Sequence, residues 1–196
     1  MIPIIFLFVL GSVDFLFAFY QWNAAAKAVE LGARIAAVST SVAGGLQNVT
    51  DLGSSSFPTP QPVPYFKVTC SSVSSGCSCT GTCSGVAGYN AAAMNTVIFG
   101  RNSSSCTDAT SSYNAGMCDI FSRVGIGSGH VRVVYEQTGL GYLGRPNGPV
   151  PTITVSLQDL PFQFFFLGGL MGLADIPNIS VSATITGEDL SSSGGP

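Results

Sequence analysis

Few residues in this chain can do chemistry. Six cysteines stand at Cys70, Cys77, Cys79, Cys83, Cys106 and Cys118, and the single histidine is His130. One carboxylate, Asp14, interrupts an otherwise uncharged run from Met1 to Trp22. An even number of cysteines in Ser/Gly-rich segments, behind a hydrophobic N-terminus, points to disulfides formed in an oxidising compartment. The rival reading is a metal site on Cys77-Ser78-Cys79 and Cys83. It lacks the paired CxxC spacing of structural zinc and has no histidine nearby. Which cysteine pairs with which stays open.

Catalysis has little to work with. The chain contains no GxSxG elbow, no HExxH and no Walker A motif. The glycines at 125, 127 and 129 precede a strand rather than a helix, so they read as a turn and not as a phosphate-binding loop. Nothing assembles a Ser-His-Asp triad around His130. The expectation is a non-enzymatic chain with no cofactor, no metal and no small-molecule substrate. Charged residues make up only 9% of the sequence, the net charge is −3, and Lys and Arg never cluster, which argues against nucleic acid as a partner. So sparse a charged surface suits a chain that buries much of itself in lipid or in neighbouring subunits.

The elements that position these residues begin with a long helix. The run MIPIIFLFVLGSVDFLFAFYQW has about 20 apolar residues, the length needed to cross a ~30 Å hydrocarbon layer. Tyr20 and Trp22 suit the lipid–water boundary. A cleaved secretory signal would have a basic start, a shorter apolar run and a small-x-small site. The helical pattern continues past Trp22 and predicts one helix over residues 1–43, ended by Gly44-Gly45. Trp22, Ala26, Val29, Ala33, Ala36 and Thr40 share one stripe, whereas Lys27, Glu30 and Arg34 share another, with Glu30 and Arg34 in the favourable i,i+4 order. The small-residue stripe either packs helix against helix or covers the head's own core. An ionised carboxylate deep in lipid costs roughly 2.5–3.5 kcal/mol and needs a partner, so Asp14 is expected to meet a neighbour's cationic or polar backbone group in an assembled state.

Residues 44–196 predict a disulfide-bearing head. Alternation marks strands at 65–71, 131–137, 152–158 and 179–186, and short helices are expected at Tyr89–Phe99 and Ser112–Arg123. The fold class is α+β with an antiparallel sheet. Between the last two strands, Phe162, Phe164, Phe165, Phe166 and Leu167 lead a stretch that is hydrophobic but too short to span a bilayer. It reads either as a loop tucked over the sheet or as an exposed contact patch centred on Phe164–Leu167.

Pro3 before the apolar run, Gly11-Ser-Val-Asp14-Phe15, Asn23-Ala-Ala-Ala26 and Val29-Glu30-Leu-Gly32-Ala33-Arg34-Ile-Ala36-Ala37 together resemble the N-terminal region of TadE/TadG-like pseudopilins. These are minor pilins of tight-adherence (Tad) pili, which are related to type IV pili. Asp14 falls on the family's acid and Gly32-Ala33-Arg34 on its GAR motif. The likeness is clear over about 40 residues; a looser one covers the closing strand that ends Ile185-Thr-Gly-Glu188. The cysteine-bearing middle has no counterpart. The family's short basic leader and its Glu before the apolar run, which the prepilin peptidase reads, have no match here, where the fifth residue is Ile5. No processing site is assigned. The resemblance implies a pilin-like lollipop and a structural subunit of a surface filament, with other pilin or pseudopilin chains as partners. It also implies residence in the bacterial inner membrane, with the head outside the cytoplasm, before assembly into a surface pilus. The alternative is a membrane-anchored extracytoplasmic adhesin or binding module, for which the helix is a plain anchor.

Overall fold

The computed structural model describes residues 2–46, 49, 61–101, 103, 105–106, 114–121, 128–143, 149–162, 166 and 176–187. Helix α1 (Ile2–Val38) runs unbroken through Gly11-Ser12 and Gly32, 37 residues in all, or about 55 Å. It stops five residues before the expected end at residue 43. The Ser39 hydroxyl donates back to the Ile35 carbonyl at 2.6 Å, the hydroxyl-rich Ser39-Thr40-Ser41 follows, and the chain leaves the helix extended. The backbone beyond pairs with another segment: Asn90 N–H donates to the Val42 carbonyl at 2.8 Å, and Gly44 N–H to the Gly88 carbonyl at 2.8 Å. That pairing is incompatible with further helix, so Gly44-Gly45 forms a turn inside the head rather than the helix terminus.

The head is built on a five-stranded antiparallel sheet in the order β2-β1-β3-β4-β5. Its strands are β1 (Phe66–Ser71), β2 (Gly76–Gly81), β3 (Val131–Glu136), β4 (Thr152–Phe162) and β5 (Ile176–Thr186). Two short helices, α2 (Ala91–Phe99) and α3 (Met117–Phe121), lie between β2 and β3. The α+β class and four of the strands agree with the sequence reading. Strand β2, Gly-Cys-Ser-Cys-Thr-Gly, has no β-branched alternation to announce it. It pairs with β1 so that Cys70 and Cys77 face each other, and a disulfide closes the pair.

One face of the sheet is apolar and the other polar, as expected for an antiparallel sheet covered on one side. The register aligns Val68, Tyr135, Ile153 and Ile185 in one row and Cys70, Val133, Val155 and Ala183 in the next. The opposite face carries Lys67, Glu136, Thr152, Thr154 and Thr184, with Lys67 Nζ 3.2 Å from Glu136 Oε2. The covering layer on the apolar face comes from α1, which packs on β4, β5, α3 and α2. Ala25, Ala28, Val29, Ala33, Ala36 and Ala37 of the helix enter one core with Phe66, Val133, Tyr135, Ile153 and Val155. Two residues fix how the layers meet. Gly32 is where α3 touches α1, since a Cβ there would collide with the Met117 side chain. Tyr135 is fully buried, and its phenol oxygen accepts from Val42 N–H at 2.9 Å, tying β3 to the chain just beyond α1.

Candidate functional site

The cysteines are all paired: Cys70–Cys77, Cys79–Cys83 and Cys106–Cys118. The first two bridges hold the β1–β2 hairpin and the turn after it. The third ties the segment after α2 to α3, where Cys118 is buried beside Met117. Among the described residues no group of three or more His, Cys, Asp or Glu side chains could hold a metal ion.

His130 sits in a 3-10 turn just before β3. Its Nδ1 lies 2.9 Å from the Gln158 carbonyl, which can only accept, so Nδ1 carries the proton and donates. A carbonyl thus occupies the position that the carboxylate of a catalytic triad would take, and it offers no charge to stabilise an imidazolium. His130 shares a shallow cleft with Ser71, Ser74, Arg132, Gln158 and Asp159. Asp159 marks a bulge in β4, with φ +54°.

The helix carries the main candidate surface, and it has two halves. From Ile5 to Trp22 most of its apolar side chains are bare, Phe8, Phe15, Leu16, Phe19, Tyr20 and Trp22 among them, while Leu10, Phe17 and Ala18 are partly buried. The helix is long and apolar enough to cross a membrane, and its most apolar window is only 11% buried. From Gln21 onward one side is covered by the head. The buried side is Gln21, Ala25, Ala28, Val29, Gly32, Ala33, Ala36 and Ala37, whose i, i+3, i+4 spacing is that of a single helical face.

The eight helix residues expected to mediate assembly are therefore divided. Val29, Ala33 and Ala36 are buried against the chain's own head, Ala26 is partly buried, and Trp22, Glu30 and Arg34 are exposed. The expected stripe was displaced at its upper end, because Gln21 and Ala25, not Trp22 and Ala26, turn inward. Glu30 also differs from the expected pairing with Arg34: Lys27 Nζ reaches its Oε2 at 2.9 Å. Both groups are solvent-exposed, so that pair contributes little to stability.

Asp14 is fully buried although its neighbours Val13 and Phe15 are exposed. A group from the far end of the chain reaches it. Phe166 N–H donates to Asp14 Oδ2 at 2.9 Å. The carboxylate expected to wait for a neighbouring subunit thus has a backbone donor in its own chain. Sequence reasoning missed this contact because a backbone N–H leaves no trace in residue type; the only signal was the apolar run around it. Of the proposed patch, Phe166 is described and half-exposed, while Phe164, Phe165 and Leu167 lie outside the described residues.

Comparison with known proteins bears on this helix alone. Residues 1–34 match the family described as TadE-like protein. The match spans Asp14 and runs to the end of Gly32-Ala33-Arg34. No curated protein and no solved structure matches the chain.

Proposed function

We propose that this chain is a non-enzymatic, pilin-like structural subunit of a Tad or type IV-like surface filament, assembled through its N-terminal helix. The observation that carries this reading is the TadE-like match over residues 1–34, lying on a helix whose first half is apolar and bare while its second half is built into the head. An apolar helix packed into a disulfide-bearing head suits two successive environments, lipid before assembly and neighbouring helices after it.

The division of the helix refines which residues serve that role. Val29, Ala33 and Ala36 hold the head, so contacts with other subunits fall to the residues it leaves exposed: Phe15, Phe19 and Trp22 on the bare half, and the charged set Lys27, Glu30 and Arg34 on the uncovered side of the second half. The three disulfides suit a head exposed to an oxidising, extracytoplasmic space. Other pilin or pseudopilin chains are the partners, and the inner membrane is the store from which subunits are drawn. Shearing filaments from the surface of producing cells and identifying their subunits by mass spectrometry tests the proposal. Recovery of this chain in the filament fraction supports it. Recovery only in the membrane fraction, while other pilins are sheared off, would favour the anchored binding module.

A further inference from the structure

We infer that the end of the head carrying Phe166 enters the head-side leaflet of the membrane beside α1, so the subunit meets lipid acyl chains through two elements rather than one. This rests on the reading of α1 as a membrane helix and goes beyond it.

Phe166 N–H is 2.9 Å from Asp14 Oδ2, which fixes the Phe166 backbone at the height of residue 14. Above that height the helix remains apolar and bare: Phe15 is 70% exposed, Leu16 65% and Phe19 59%. The aromatic pair Tyr20 and Trp22 follows, and the first charge after Asp14 is Lys27. Aromatic side chains collect at the lipid boundary and lysines beyond it, so the boundary falls near Trp22. Eight residues separate Trp22 from Asp14, a drop of about 12 Å toward the bilayer centre.

The composition and the hydrogen bonding fit that depth. No charged residue occurs between Asp159 and Asp175, and the Phe166 side chain is 43% exposed, so the aromatic ring faces outward beside the bare helix. In lipid a backbone N–H and a carboxylate are each costly unless paired. Here each is the other's partner. The paired strands β4 and β5 reach Phe162 and Ile176 on this side of the head, so the described backbone up to Phe162 is satisfied within the sheet. The acid of the helix is thereby the docking point of a shallow membrane insertion.

Fluorescence depth measurement tests this. Trp22 is the only tryptophan, so Trp22→Phe/Phe166→Trp moves the single fluorophore to position 166. In phosphatidylcholine vesicles containing lipid brominated on its acyl chains, the expected result is loss of fluorescence to a degree comparable with wild-type Trp22, together with protection from aqueous acrylamide. Fluorescence unaffected by brominated lipid and quenched by acrylamide would overturn the inference. Because the double variant could misfold, wild-type protein is also labelled by a lipid bearing a photoreactive group in its acyl chain. Label on peptides from α1 and on the peptide that contains Phe166 is expected. Label on α1 alone overturns the inference and leaves the membrane helix standing, whereas no label on α1 removes the premise of both.

Discussion

The Phe166 amide and the Asp14 carboxylate, 152 positions apart in sequence, meet at 2.9 Å and bind the head to the apolar part of α1. A hydrogen bond of this kind contributes about 0.5–1.5 kcal/mol, and its loss leaves the Phe166 N–H without this acceptor. Asp14 therefore joins helix to head within its own chain.

Asp14→Asn keeps an acceptor oxygen for the Phe166 amide, while Asp14→Leu removes it. We expect Asp14→Leu to lose about 1–3 kcal/mol of local stability, with Asp14→Asn losing clearly less. Amide hydrogen exchange at Phe166 in detergent or lipid is the measurement, and equal protection in both variants and in the wild type would show the bond to be dispensable.

Gly32 tests helix packing. Replacing it with Ala gains about 1 kcal/mol in helix propensity but forces a methyl group into the buried Met117 side chain, an overpacking cost of roughly 1–3 kcal/mol. Gly32→Ala should therefore be destabilising by about 1 kcal/mol. In a Met117→Ala background the collision is gone, and the same change should become stabilising. A thermodynamic double-mutant cycle measures the coupling, and additive effects would contradict the packing described.

Tyr135 gives the head a pH dependence. Burial raises its phenol well above the ordinary value of 10.0, an effect larger than the opposing hydrogen bond from Val42 N–H. The folded-state value lies above the unfolded one, so the contribution is complete below about pH 10 and is lost as the pH rises further, because the unfolded chain ionises first. Tyr135→Phe should cost about 1–3 kcal/mol at neutral pH through the stranded Val42 N–H. It should also flatten the fall in stability above pH 10. Chemical denaturation between pH 8 and 11 reads both effects, and an unchanged alkaline slope would exclude Tyr135 as its source.

The Cys70–Cys77 bridge closes an edge hairpin of low β-propensity. Changing both residues to Ala should cost about 2–3 kcal/mol. Hydrogen exchange should show the loss concentrated in β2, because β1 keeps its pairing with β3. Uniform loss of protection across the sheet would mean that β2 is integral to the core.

Much of this architecture is legible in the sequence because it rests on periodicity. The strands β4 and β5 alternate cleanly, since one face is core and the other is hydroxyl-rich. The long helix shows itself by apolar length and by its small-residue stripe. What escaped has physical reasons as well. Ala25 and Ala26 are chemically identical, so nothing in residue type says which one turns inward, and the covering head decides. Strand β2 depends on a disulfide partner rather than on its own propensity. The end of α1 is set by backbone pairing of Val42 and Gly44 with residues 88–90, a contact made only after the chain has folded. The capping of Asp14 by Phe166 is likewise a backbone contact between distant segments.

Assembly through the exposed surface of α1 is tested most directly by crosslinking within producing cells. A photoreactive phenylalanine analogue replaces Phe15 or Trp22, both exposed on the helix, with Tyr65, exposed on the head, as the comparison site. Covalent adducts between the helix positions and another pilin-like chain, recovered in the sheared filament fraction, are the expected result. Adducts from Phe15 and Trp22 with lipid alone, in a chain that never leaves the membrane, would contradict it.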